Sequence, residues 1–166
     1  VNVNSDFTKA NKFEILKSPT KGKHFSLAKY NGAIYFAGKQ GVYKLNNKTK
    51  QFIKDNEISE VFKNGEYISG KLNVDKSNKM WLFTKSYIYY FTSGNFDSKL
   101  KKHKIPIPFS ITNPMIGYEN ITQISNSNYL IGTTDGYYII NLNDLSFKNY
   151  SVSIANISVN KLDEKI

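Results

Sequence analysis

The sequence predicts an all-β chain assembled from tandem repeats of antiparallel strands, and three observations carry that reading. Apolar runs rich in β-branched and aromatic residues flank short turn signals, most plainly over 129–140, where Tyr-Leu-Ile-Gly and Tyr-Tyr-Ile-Ile lie on either side of a turn containing Asp135-Gly136. The same pattern recurs over 35–43, 81–89 and 130–138, and its starts at Tyr35, Trp81 and Leu130 are about 46 and 49 residues apart, a spacing that suits propeller blades and exceeds leucine-rich and ankyrin periods. No stretch supports a helix. The expected architecture is a segment of a β-propeller: about three four-stranded antiparallel blades over 25–54, 71–104 and 120–150, with the flanks 1–24 and 151–166 belonging to neighbouring blades.

In chain order, residues 12–16 read as an outer strand followed by the turn cluster Ser18-Pro19-Thr20-Lys21-Gly22. The first blade opens at 25–28, turns at Asn31-Gly32, runs over 33–38, turns at Lys39-Gln40, continues over 41–45 and closes with a strand at 50–54 after a polar turn. The apolar pairs Val61-Phe62 and Tyr67-Ile68 then suggest an extra hairpin around Asn64-Gly65. The second blade has strands at 71–74, 79–84 and 87–91, turns at 75–78 and Lys85-Ser86, and an outer strand at 99–104. Pro106, Pro108 and Pro114 cannot donate to a ladder, so 105–118 reads as an extended crossover. The third blade begins at 120–124, turns at 125–128, forms the hairpin at Asp135-Gly136, where a two-residue turn requires positive φ at both positions, and ends with a strand at 146–150. Residues 151–166 lead into a further repeat.

A blade packs through both faces, which explains aromatic and branched residues on both sides of the middle strands and small residues such as Ala37, Gly38 and Gly132 where sheets approach. Three blades make an arc with an uncovered face at each end, so further blades or self-association are expected.

Composition narrows the functional classes. The chain carries 23 basic against 13 acidic residues, a net charge of +10, and every basic residue is lysine. Without the bidentate guanidinium of arginine, sequence-specific nucleic-acid readout is disfavoured. The charge fits either the lysine- and asparagine-rich usage of an AT-rich genome or a surface that attracts polyanions. There is no cysteine, hence no disulfide, thiolate nucleophile or cysteine metal site. No apolar run spans a membrane, and the first residues lack a signal peptide's basic and apolar regions; a start at Val1 without Met suggests a piece of a longer protein.

The second repeat carries Asp75, Asn78, Met80, Trp81, Leu82, Thr84, Ile88 and Tyr89; the third carries Ile131-Gly132-Thr133, Gly136 and Tyr138; the first carries Ala37-Gly38, Gly41 and Tyr43. Over 25–150 this pattern resembles the two-component regulator propeller repeat of extracytoplasmic sensor domains in Bacteroidetes-type regulators. The tryptophan is kept once, with Tyr35 and Leu130 at its positions, and Tyr87 replaces the turn glycine. The resemblance implies a ring of about seven blades, a periplasmic or extracytoplasmic location, and a non-enzymatic sensor role with an acidic or neutral oligosaccharide, or another small polar molecule, as ligand. A protein-interaction scaffold and a propeller lyase or hydrolase are the alternatives, since propellers host unrelated activities.

Candidate site residues follow from the propeller layout. The rim carrying the central turns would present Lys39, Gln40, Lys85, Ser86, Thr134 and Asp135, together with the connections 55–70 and 105–119; Lys39 and Lys85 are equivalent and could meet an anionic group. His24 and His103 are too separated for a short metal motif, and Asp75-Lys76-Ser77-Asn78 lacks the glycine and glutamate of a calcium loop. The run at 99–104 reads as a charged edge strand. The acceptor triplets at Asn47, Asn120, Asn149 and Asn156 are expected by chance in an asparagine-rich chain. No nucleophile elbow, phosphate loop or carboxylate pair is present, so no catalytic residue, metal or cofactor is expected.

Overall fold

The computed structural model describes residues 2–11, 24–94 and 99–145, which are mostly β. A short hairpin of β1 (Asn2–Val3) and β2 (Ala10–Asn11) precedes the main structure. The first sheet comprises β3 (Ser26–Tyr30), β4 (Ala33–Gly38), β5 (Gly41–Asn46) and β6 (Gln51–Asp55). The second comprises β7 (Tyr67–Val74), β8 (Met80–Thr84), β9 (Ile88–Ser93) and β10 (Leu100–Ile105), and the third β11 (Ile121–Gln123), β12 (Asn128–Gly132) and β13 (Tyr137–Asn141). In each sheet every strand pairs antiparallel with the next in the chain. The predicted strands at 12–16 and 146–150, and the passage over 151–166, lie outside the described residues.

Local sequence explains most turns. Asn31 and Gly32 have φ of 48° and 71°, and Tyr30 pairs with Ala33 across them, as a two-residue hairpin with the strands' right-handed twist requires. Lys39-Gln40 joins the paired residues Gly38 and Gly41. The third central hairpin turns at Thr134-Asp135, the pair expected on the rim, and not through a two-residue Asp135-Gly136 turn with positive φ. Gly132 pairs with Tyr137, the Thr133 N–H donates to the Gly136 carbonyl at 3.0 Å, and neither Asp135 nor Gly136 has positive φ. The loop is four residues long, so its central pair is Thr134-Asp135, which turns in ordinary right-handed conformations. The second hairpin closes alike, with Phe83 opposite Ile88 and the Thr84 N–H on the Tyr87 carbonyl at 2.9 Å.

The extra hairpin expected around Asn64-Gly65 is replaced by α1 (Asn56–Ser59) and a 3-10 segment (Glu60–Gly65). Asp55 ends β6 in an extended conformation and its carboxylate accepts from the Ile58 N–H at 3.0 Å, a helix N-cap. Ile58, Val61 and Phe62 then fall at three- and four-residue spacing, and all are buried. Asn64 and Gly65, at φ 56° and 76°, end the helical segment instead of turning a hairpin. The crossover after β10 likewise contains a short helix, α2 (Phe109–Thr112), between Pro108 and a left-handed Asn113. β7 starts at Tyr67, earlier than expected, and shifts register between Tyr67 and Leu72.

The sheets stack face to face in chain order. Between the first and second lie Tyr30, Tyr35, Ala37 and Val42 from one side and Leu72, Met80, Leu82 and Phe91 from the other, closed by Ile58, Val61 and Phe62. Between the second and third lie Trp81, Phe83, Ile88 and Ile105 against Ile121, Tyr129 and Ile131. β8 contributes to both layers, so all five of its residues, Met-Trp-Leu-Phe-Thr, are buried. Trp81 is buried between sheets, as its repeat position requires.

One glycine sets the distance between the first two sheets. A Cβ on Gly70 would stand 2.3 Å from the Ala37 carbonyl oxygen and 2.9 Å from the Gly38 nitrogen. The gap is bridged by Ser26, whose hydroxyl donates to the Gly70 carbonyl and accepts from the Leu72 N–H, both at 2.7 Å. Of the small residues expected at close approaches, Ala37 serves that purpose, whereas Gly132 faces open space.

Candidate functional site

Hydrogen bonds gather the central turns and both crossovers on one rim. The Ser59 hydroxyl accepts from the Val42 N–H at 2.9 Å and donates to the Val42 carbonyl at 3.1 Å, tying α1 to the first hairpin. Glu66 ties the end of the same connection to the second: its carboxylate accepts from the Ser86 N–H at 2.9 Å, the Ser86 hydroxyl at 2.8 Å and the Thr84 hydroxyl at 3.0 Å. Burial pushes the Glu66 carboxyl up, but the bonds from Ser86 and Thr84 outweigh it, helped by Lys85, and hold it below the usual range. The Phe109 N–H donates to the Lys85 carbonyl at 2.7 Å, and the Asn113 amide reaches the Thr134 hydroxyl at 3.0 Å, so α2 spans from the second hairpin to the third.

The inner strands β3, β7 and β11 begin on this rim, and their first residues form a polar cluster. His24 has φ 72°, held by its carbonyl, which accepts from the Gly70 N–H and the Tyr67 hydroxyl at 3.0 Å each. Its imidazole lies where a Cβ on Gly117 would be, 2.4 Å from Nδ1, so only glycine fits there. Gly117 donates its N–H to Glu119 Oε2 at 3.0 Å, and the Ser69 hydroxyl donates to the same oxygen at 2.8 Å. Glu119 is fully buried, and its Oε1 has no hydrogen-bond partner among the described residues. A buried carboxylate oxygen of this kind requires a donor. Burial, and then the Glu119 charge, raises the Tyr67 hydroxyl above its ordinary range.

Beside this cluster the second crossover exposes apolar side chains. Tyr118, between Gly117 and Glu119, is 73% exposed, and Ile111, Met115 and Ile116 are exposed on the same connection. The rim therefore carries an exposed aromatic and apolar surface next in the chain to a buried polar cluster.

Of the residues expected on the rim, Lys39, Gln40, Lys85, Thr134 and Asp135 are exposed and Ser86 is half-buried. Ser86 and Thr134 hold crossovers, and Thr134 also bonds the Asp135 carboxylate. No hydrogen bond among the described residues brings Lys39 or Gln40 to Lys85. Sequence reasoning placed the connection 105–119 on the rim without singling out Tyr118 or Glu119, and read His24 only as too far from His103 for a short metal motif. It also took Asp75 only as a turn. Asp75 Oδ1 accepts from the Lys79 N–H at 2.8 Å, while Oδ2 accepts from Trp81 Nε1 at 2.9 Å and the Tyr129 hydroxyl at 3.0 Å, joining the second and third sheets. Burial and then this bond raise the Tyr129 hydroxyl. His103 stacks on Tyr90, with ring centroids 4.4 Å apart, and burial, then Lys101 and Lys79, lower its pKa. Among the described residues no three His, Asp or Glu side chains form a metal-binding group, and no helix is long and apolar enough to cross a membrane.

No family model matches the chain, and no curated protein matches it. A solved structure described as the extracellular domain of a one component system from B. thetaiotaomicron aligns with a TM-score of 0.46 and 12% identity, covering 83% of this chain and 18% of that one. The chain thus spans less than a fifth of that neighbour's length.

Proposed function

We propose that the chain is a run of successive blades of a β-propeller whose rim binds a saccharide or similar small polar ligand without transforming it, as the sensing part of an extracytoplasmic regulator. The observation that carries the ligand reading is the exposed Tyr118 ring, with Ile111, Met115 and Ile116 exposed on the same connection, at the point where the inner strands begin. Sugar rings offer apolar faces that pack on an aromatic platform. Glu119 braces the rim beneath this platform through Ser69 and Gly117, and Lys39 and Lys85 supply a positive field for acidic sugars. The blade reading is supported by two four-stranded meanders and a three-stranded one, stacked in chain order and joined along one rim, and the sensor and location readings rest on the resemblance of the repeat pattern.

The test is a titration of neutral and acidic oligosaccharides followed by amide chemical shifts. Binding should perturb Ser69, Gly117 and Glu119 together with the turns at 39–40 and 85–86. Shifts confined to the opposite turns at Asn31-Gly32 and Asp75-Lys76, or turnover of any glycan, would refute it.

A further inference from the structure

The second sheet carries a row of rings on the face it turns toward the third. Trp81 pairs with Tyr90 and Tyr90 with His103, so the row crosses β8, β9 and β10, with ring centroids 4.8 Å apart for the first pair and 4.4 Å for the second. Register places Tyr35, Lys44 and Ile53 at the same three positions of the first sheet, since Tyr35 pairs with Lys44 and Lys44 with Ile53. Only the first of these is a ring. The gap between the first and second sheets opens outward as a cleft of about 540 Å³, lined by Tyr35, Lys44, Asp55 and Glu57 on one side and by Lys99 and Leu100 on the other. That volume lies within the range of small-molecule sites.

The polar groups of this cleft are not spent on one another. Tyr35 is 3% exposed, and its hydroxyl has no hydrogen-bond partner among the described residues. Burial, and then the Asp55 carboxylate, push this hydroxyl up to about 12, so it stays protonated and can donate into the cleft. Lys44 Nζ stands 5.8 Å from the centre of the Tyr35 ring. Asp55 Oδ1 accepts from the Ile58 N–H, and Glu57 lies in the first turn of α1. Among the described residues the ion pair is Lys63 with Glu60, and none joins Lys44 or Lys99 to Asp55 or Glu57.

We infer that this cleft binds a zwitterion of dipeptide size, whose carboxylate meets Lys44 and Lys99, whose ammonium meets Asp55 and Glu57, and whose side chain packs on Leu100. Opposite charges held apart in one cleft fit a ligand that carries both, and each end gains a charge-assisted hydrogen bond. A neutral oligosaccharide would leave these four charges without counterparts. The lining includes none of Tyr118, Lys39 or Lys85, so this site stands whether or not the rim binds a ligand.

Amide chemical shifts followed during titration with glycyl-leucine, glycyl-leucinamide and N-acetylglycyl-leucine test this, since the last two each lack one of the charges. Glycyl-leucine should saturate and perturb Tyr35, Lys44, Asp55 and Leu100, while each capped form should bind roughly tenfold more weakly or worse, the weight of one charge-assisted hydrogen bond. Lys44→Met should weaken glycyl-leucine by a similar factor. Tyr35→Phe removes only an oxygen that has no partner among the described residues, so it should melt no lower than the wild type yet bind about two- to tenfold more weakly. No saturation by glycyl-leucine at millimolar concentration, capped forms that bind as well as the free dipeptide, or shifts confined to the rim around Gly117 would overturn it.

Discussion

The indole N–H of Trp81 donates to Asp75 Oδ2 at 2.9 Å, so the sole tryptophan is fixed by the residue that also holds the β7–β8 turn. The same oxygen accepts the Tyr129 hydroxyl of the next sheet, so one carboxylate serves a turn, a core ring and an intersheet contact. Asp75→Ala leaves three donors without their acceptor and should cost about 1–3 kcal/mol, measured by urea unfolding. Trp81→Ala removes a fully buried ring and should cost about 3–5 kcal/mol.

Gly70→Ala should destabilise by about 1–3 kcal/mol although it adds one methyl, because the atoms it meets are the backbone of Ala37 and Gly38. Gly132→Ala, with nothing within 4 Å of the added carbon, is the control and should be close to neutral. Equal melting temperatures for the two variants would show that the sheets are not held at the separation described.

Glu66 gives a pH dependence of known sign. Its pKa in the folded chain lies below the ordinary 4.5, so its contribution is fully present above that value and is lost as pH falls through the depressed one. Glu66→Gln should therefore melt below the wild type at neutral pH, with the gap shrinking once the pH drops below about 4. A gap that widens or stays constant as the pH falls all the way to acid unfolding would mean that the bonds to Ser86 and Thr84 do not favour the ionised form.

The rim lysines act by general attraction if they meet an acidic oligosaccharide. The double variant Lys39→Ala/Lys85→Ala should bind it more weakly than the wild type at low salt, and the difference should fade as the Debye length contracts from about 30 Å at 10 mM to about 8 Å at physiological ionic strength. Identical affinities at every salt concentration would leave both side chains merely solvated.

The strands were legible because their signals are local. Alternation and turn chemistry are enough to place β4 with β5 and β8 with β9, and Asn31-Gly32 turns as its composition requires. The same dipeptide chemistry misled at Asn64-Gly65, where the Asp55 cap and the three- and four-residue spacing of Ile58, Val61 and Phe62 prevail over the hairpin signal. It misled again at Asp135-Gly136, because a four-residue loop moves the turn's centre back by one residue. Equivalent positions in the repeat located the rim turns, but not the inner cluster. Glu119 meets Ser69 from fifty residues earlier in the chain, a pairing set by how two sheets stack and invisible to any local window.

The most direct test of the proposal that this rim binds a ligand is calorimetric titration of the wild type and Tyr118→Ala with the oligosaccharide that binds best, at matched pH and salt. Tyr118 is largely exposed, so its removal should leave the melting temperature nearly unchanged while weakening binding by about 1–3 kcal/mol, roughly five- to 150-fold, as the aromatic platform is lost. Undiminished affinity in Tyr118→Ala, with the fold intact, would contradict the claim that this rim is where the protein meets its ligand.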